Sequence, residues 1–399
     1  MRIAYLTHQF HNASESFVRD LACGLSAKGH EVEIVCDRLT ALGKLAEGPK
    51  KHACGFRFVK RALWLGTPLA GIHAIADRAF SNAVLSRQLG RIVPDVVYAD
   101  FGTNAVYAVD AAKALDLPLV VHFHGADATK ALGDGVYKRR LEALFSYASA
   151  IVVPSLHLKR LLVIAGADEA RIHSIPCGAN LNLCHAPDWE KKKAGGPLVL
   201  SLGRLTGKKN PLALVEAFRL VHREMPEARL LIVGSGGLEA ELKKRIAKHG
   251  LGETVHLAGA LPHAEALAHM GRAWLLAQHS VTGLDGDQEG LPVSIMEAMA
   301  CGIPVVSTLH SGIPEAVEDG VSGFLVREHD YESMAERMLR LLKEPSLAEK
   351  MGANGREKAL RDYDQITRFE RVERILSKAV TDKCVPAIKA RIKPAVAAS

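Results

Sequence analysis

With 399 residues, 48% of them apolar and 24% charged, the chain is long enough to bury two cores and too apolar for disorder. Seven cysteines, odd in number and without a CxxC pair, read as free thiols in a reducing compartment and suggest no metal site. The net charge of +7 fits phosphate-bearing substrates or an anionic membrane surface; with no zinc-finger spacing and no RNA-recognition aromatic motif, nucleic acid is set aside as a partner.

Arg2–Thr7 is a short apolar run without the long h-region of a signal peptide. No stretch of about 18 apolar residues follows, so a first core strand and a cytoplasmic location are expected. Phe17, Leu21 and Leu25 near helical spacing predict a helix over Ser16–Lys28, stopped by Gly29. Further strands are predicted at Glu31–Cys36, Asp95–Asp100, Leu117–His122 and Ala150–Pro154. Strands alternating with amphipathic segments imply a parallel sheet covered by helices.

Between the second strand and the next helix, Arg38, Lys44, Lys50, Lys51, Arg57, Lys60 and Arg61 interleave with Phe56, Phe58, Val59, Leu63, Trp64 and Leu65. Cations beside aromatics suit an anionic headgroup layer, so this stretch is a candidate membrane-facing patch on the inner face of the cell membrane. Ala186–Pro197, rich in Lys, Gly and Pro, reads as a linker. The strand rhythm then repeats at Leu198–Leu202, Arg229–Val233, Val255–Ala258, Trp274–Ala277, Pro304–Ser307 and Gly323–Val326. The expected domains are therefore 1–190 and 191–362, followed by a helix in 363–380 and a frayed basic tail, 381–399.

The run Gly286–Val306 carries the strongest chemical signal. Pro292 stands where a helix begins, and Gly302 where it ends. The unpaired N–H groups of that helix start favour a diphosphate. Glu289 lies before the helix and Glu297 within it, at most about 12 Å apart along an axis, the scale of a nucleotide sugar. Carboxylates accept well from vicinal hydroxyls, so one could hold the sugar and the other the ribose. Arg204 and Lys209, with Lys208 as an alternate, lie in a loop after a strand and suit a leaving diphosphate. Gly234-Ser235-Gly236 is a weak signal, either a nucleotide-binding turn or an allowance for tight packing. His122-Phe123-His124-Gly125-Ala126-Asp127 also follows a strand; its histidine could bond substrate or be a packed, satisfied side chain.

The Gly286–Val306 run resembles the Glu-x7-Glu motif of retaining glycosyltransferase family four, the glycosyl transferases group 1. The fold implied is α/β of the GT-B type, two Rossmann-like domains facing across a cleft that holds the active site, with helix 363–380 returning to the first domain. The resemblance implies that Glu289 contacts the donor hexose, Glu297 the ribose, and Arg204 and Lys209 the phosphates. Gly290, Leu291, Gly234 and Gly236 would complete the donor site, and His124 would join Glu289, Arg204 and Lys209 in catalysis. The first domain would bind the acceptor, through Ser14, Glu15 and Asp127. Ser14–Phe17 resembles a variant found in the bacterial colanic-acid and amylovoran branch, in place of a commoner Gly-Gly pair. Asn210 stands where Gly is usual after the lysine. The implied activity is transfer of a hexose from a nucleotide diphosphate sugar to a lipid-linked or polysaccharide acceptor in bacterial surface-polysaccharide synthesis. The sugar nucleotide is then a co-substrate, and neither cofactor nor metal is expected. An epimerase or phosphorylase of the same architecture, or a silent sugar-binding partner, remains an alternative.

Overall fold

The structure, a computed structural model, describes residues 1–10, 15–45, 47–56 and 70–396. Ser14 and most of the basic–aromatic stretch, from Arg57 through Leu65, lie outside the described residues. The chain divides into two compact units. One comprises residues 1–153, 159–175 and 369–399; the other comprises 154–158 and 176–368. The main stretch of the first unit ends at 175; the boundary expected from the sequence lay at 190.

Among the described residues, the first unit is built on a sheet of seven strands: β1 (Arg2–Phe10), β2 (Glu31–Leu39), β3 (Lys50–Ala53), β4 (Val96–Asp100), β5 (Leu119–His122), β6 (Ala150–Val153) and β7 (Ile172–Ser174). All pairings are parallel, in the order β3-β2-β1-β4-β5-β6-β7. Central strands of such a sheet are covered on both faces, which is why β4 and β5 are buried throughout and read as continuous apolar runs. The edge strands β3 and β7 escaped prediction because one is Lys50-Lys51-His52-Ala53 and the other has three residues. Polar or short edges are how sheets avoid pairing with other chains. The helix Ser16–Ala27 forms as expected, burying Val18, Leu21, Ala22 and Leu25, and Gly29 follows at φ 88°.

The helix Gln365–Val396 completes this unit. Phe369, Val372, Leu376 and Ala379 join Ile3, Tyr5, Leu21 and Leu25 in one core. Each large apolar side chain buried this way contributes about 1.5–3 kcal/mol. Gly24 makes room for Phe369: a Cβ there would fall 2.4 Å from the ring. The tail expected to fray continues as helix, and Lys383 within it pairs with Asp116 at 2.7 Å. Phe56, expected on a membrane-facing patch, is fully buried and packs edge-on against Tyr107. Among the described residues, no helix is long and apolar enough to cross a membrane.

The second unit has six parallel strands: β8 (Leu198–Leu202), β9 (Arg229–Val233), β10 (Val255–Gly259), β11 (Leu275–Ala277), β12 (Val305–Thr308) and β13 (Gly323–Val326). Each lies within one residue of its expected place. Their order is β10-β9-β8-β11-β12-β13, so the direction of winding reverses between β8 and β11. In open α/β sheets, ligands bind beyond the carboxyl ends of the strands at such a reversal. The segment expected to be a linker carries a helix, Trp189–Ala194, capped by Asp188. Trp189 packs edge-on against Trp274 at 6.5 Å, and the Trp274 indole donates to the Lys192 carbonyl, which fixes the segment to this unit's core.

Candidate functional site

The loops leaving β8 and β11 bring Lys209 and Glu289 together. Lys209 Nζ lies 2.9 Å from Glu289 Oε1, and the carboxylate residue is 7% exposed. Burial pushes the Glu289 carboxyl up, but the ammonium groups of Lys209 and Lys208 outweigh it and hold it below the usual carboxylate range. Burial lowers the Lys209 ammonium, and Glu289 only partly restores it against the like charges of Lys208 and Arg204. The result is a close Lys–Glu pair in a poorly solvated place. Arg204 is exposed and makes no ion pair among the described residues.

The loop that carries these cations is built for its task. Asn210 adopts φ 40°, ψ 57°, a left-handed conformation that asparagine tolerates, and its side chain accepts from Ala213 N–H to cap the helix Pro211–Glu224. That accounts for asparagine where glycine was usual. Lys208 is buried and donates to Asp287 Oδ1 at 2.9 Å and to the Gln288 carbonyl, tying the two loops together rather than facing a ligand.

Gln278, at the end of β11, was not singled out in the sequence. Its Oε1 accepts from Lys209 Nζ and from Ser294 Oγ, both at 3.2 Å, and its Nε2 donates to Ser280 Oγ. It thus orients the lysine against the helix Val293–Ala300, which begins after Pro292 as expected. Gly290 gives its carbonyl to Gly312 N–H, and Leu291 is buried. Both therefore shape the loop. Glu297, 4% exposed, is held 2.6 Å from His263 Nε2.

Gly234 and Gly236 have a packing role. A Cβ on Gly234 would fall 1.9 Å from the Gly203 carbonyl oxygen, and one on Gly236 would fall 2.4 Å from that of Leu205. These glycines let the turns after β8 and β9 lie against each other, joined by Gly203 N–H to Val233 O and Leu205 N–H to Ser235 O.

In the first unit, His124 sits between Phe17 and Phe101, each ring centroid 4.6 Å away, with Nε2 2.7 Å from Asp100 Oδ1. Asp100 ends β4, is fully buried and also accepts from the Tyr5 hydroxyl. It was missed in the sequence, although an acid closing an apolar strand is a visible signal. Asp127 was expected at the acceptor. Its carboxylate is 2% exposed and accepts instead from the backbone of Gly102, His124 and Gly125 at 2.8–2.9 Å. Those three bonds shape the turn and leave it no outward reach. Glu15 immediately precedes the helix Ser16–Ala27.

A buried Lys–Glu pair thus lies at the reversal of a parallel sheet, with an exposed arginine in the same loop as the lysine and a helix starting after Pro292. Residues 187–358 match the family described as Glycosyl transferases group 1, and residues 14–183 match Glycosyltransferase Family 4. The chain belongs to this glycosyltransferase family. It is 30% identical to the putative colanic acid biosynthesis glycosyltransferase WcaL of Salmonella typhimurium, over 92% of this chain and 97% of that one. It is 28% identical to the amylovoran biosynthesis glycosyltransferase AmsK of Erwinia amylovora, over 95% and 100% of the two chains. The fold matches that of Anabaena Alr3699/HepE, crystallised with UDP-glucose, at a TM-score of 0.77 and 20% identity over 95% of this chain and 100% of that one. The two sheets are those of the GT-B fold.

Proposed function

We propose that the protein transfers a hexose from a nucleotide diphosphate sugar to a hydroxyl of a lipid-linked or polysaccharide acceptor, with retention at the anomeric carbon, in bacterial exopolysaccharide synthesis. The observation that carries this reading is the buried Lys209–Glu289 pair at the carboxyl ends of β8 and β11. Arg204, Lys209 and the start of the helix Val293–Ala300 neutralise the departing diphosphate. Glu289 accepts from sugar hydroxyls, and Glu297 acts toward the ribose with His263 beside it. A leaving phosphate oxygen takes the acceptor proton on the same face. His124, oriented by Asp100, is the substrate-contacting group of the first unit, with Glu15 near the acceptor. The donor is a co-substrate, and no step calls on a metal or a further cofactor. Relatives named for colanic acid and amylovoran support a surface-polysaccharide acceptor. The basic stretch supports peripheral attachment to an anionic membrane on its cytoplasmic face.

The test is a panel of nucleotide sugars read by nucleotide release, with and without lipid extract. One donor should give acceptor-dependent release, and Glu289→Gln should remove it. Conversion of donor alone, without acceptor, points to an epimerase instead. Wild-type turnover by Glu289→Gln sinks the assignment.

A further inference from the structure

The residue that holds Glu289 in place is a histidine with one permitted tautomer. His310 follows β12, is 1% exposed and points both ring nitrogens at defined partners. Its Nε2 accepts from the backbone N–H of Glu289 at 3.1 Å, and its Nδ1 lies 2.6 Å from Glu328 Oε1. The other Glu328 oxygen accepts from Thr282 N–H at 2.9 Å, so one carboxylate tethers the far end of the same loop. The next residue, Ser311, holds φ 50° and donates its hydroxyl to the Glu289 carbonyl. Consecutive residues thus grip Glu289 by its N–H and by its C=O.

A peptide N–H can only donate, so Nε2 must present a lone pair, and the single ring proton resides on Nδ1, facing a carboxylate that accepts it. We propose that His310, kept in the Nδ1–H form by Glu328, is a positioning residue that presents Glu289 to the donor, and that protonation of its ring releases the grip. The added proton goes to Nε2, where it meets the Glu289 N–H donor to donor, and that peptide loses its acceptor in a buried place. The charged groups about the ring are Glu328 at Nδ1 and Glu289 beyond its own N–H, with Lys209 and Lys208 on the Glu289 side. His329 neighbours Glu328, with His279 and Asp330 beyond it. The inference rests on Glu289 holding the donor.

The experiment measures donor KM and kcat by nucleotide release between about pH 5 and pH 8, the histidine range. The donor is drawn from a panel that includes UDP-glucose and GDP-mannose. The wild type should show a donor KM that climbs as pH falls. His310→Phe, lacking an acceptor, should raise KM about tenfold at neutral pH. His310→Gln keeps a carbonyl acceptor and cannot titrate; it should recover most of that loss and keep KM flat toward acid. A His310→Gln enzyme with the wild-type acid rise, or a folded His310→Phe enzyme with wild-type KM, overturns the proposal. Glu289→Gln serves as the separate control: if it retains wild-type turnover, the functional reading itself fails, whatever His310 does.

Discussion

Replacing Gly234 by alanine separates a packing glycine from a ligand-facing one. The residue holds φ 143°, where a side chain costs about 1–3 kcal/mol. Its new Cβ would lie 1.9 Å from the Gly203 oxygen, and backbone cannot rotate away as a side chain can, adding about 1–3 kcal/mol of overpacking. Shifting the turn also strains Gly234 N–H to Gly259 O and Gly203 N–H to Val233 O, each worth about 1 kcal/mol. The expected loss is roughly 4–8 kcal/mol, a large part of the 5–15 kcal/mol that stabilises a typical domain. Urea unfolding followed by tryptophan fluorescence suits the question, because Trp189 and Trp274 both lie in this unit's core. Gly237→Ala is the control: a Cβ there meets nothing within 4 Å, so its midpoint should stay within about 0.5 kcal/mol of wild type. An unchanged midpoint for Gly234→Ala would refute the packing account and return the glycine to the nucleotide.

Lys209→Ala should cut turnover by about 100- to 1000-fold and destabilise the protein by about 3 kcal/mol, since it strands a buried carboxylate. The Lys209→Met, Glu289→Gln double variant should recover stability in a thermal melt while turnover stays lost. His279 makes the protein acid-sensitive. Burial, reinforced by His329, pushes its imidazole from 6.5 down to about 4. In that window the unfolded chain binds more protons, so stability falls as pH drops from about 6.5 to about 4, by about 3 kcal/mol in all. Urea midpoints across that range should flatten in His279→Gln. Phe369→Ala should cost the first unit about 3–5 kcal/mol, and Gly24→Val should destabilise it as well by displacing the Phe369 ring, both read by denaturant melts.

What was legible in the sequence follows the range of the interactions involved. The six strands of the second unit were visible because each is a short apolar run bounded by Gly, Pro or polar residues. Lys50–Ala53 was not, because an edge strand needs no apolar face. The segment around Lys191–Lys193 looked like a linker by composition, and nothing local showed that Trp189 would meet Trp274. Lys209 and Glu289 were recognisable by motif. The side chains that hold them were not, since Gln278, His310 and Glu328 act on partners contributed by other loops. A local trace existed all the same: Gln278-His279-Ser280 closes the apolar strand β11, as Asp100 closes β4. Polar residues that are buried at the carboxyl end of a strand need partners, and those partners define a site.

The helix Gln365–Val396 has a consequence for biosynthesis. All seven strands of the first sheet have been translated by Ile175, yet its core still lacks Phe369, Val372 and Leu376. At about 5–20 residues per second, the ribosome needs on the order of 10–40 s to supply them. Throughout that interval the nascent sheet shows an uncovered apolar face to chaperones. The unit begun later is fully translated first, so the order in which the two halves mature is the reverse of the order in which the gene starts them.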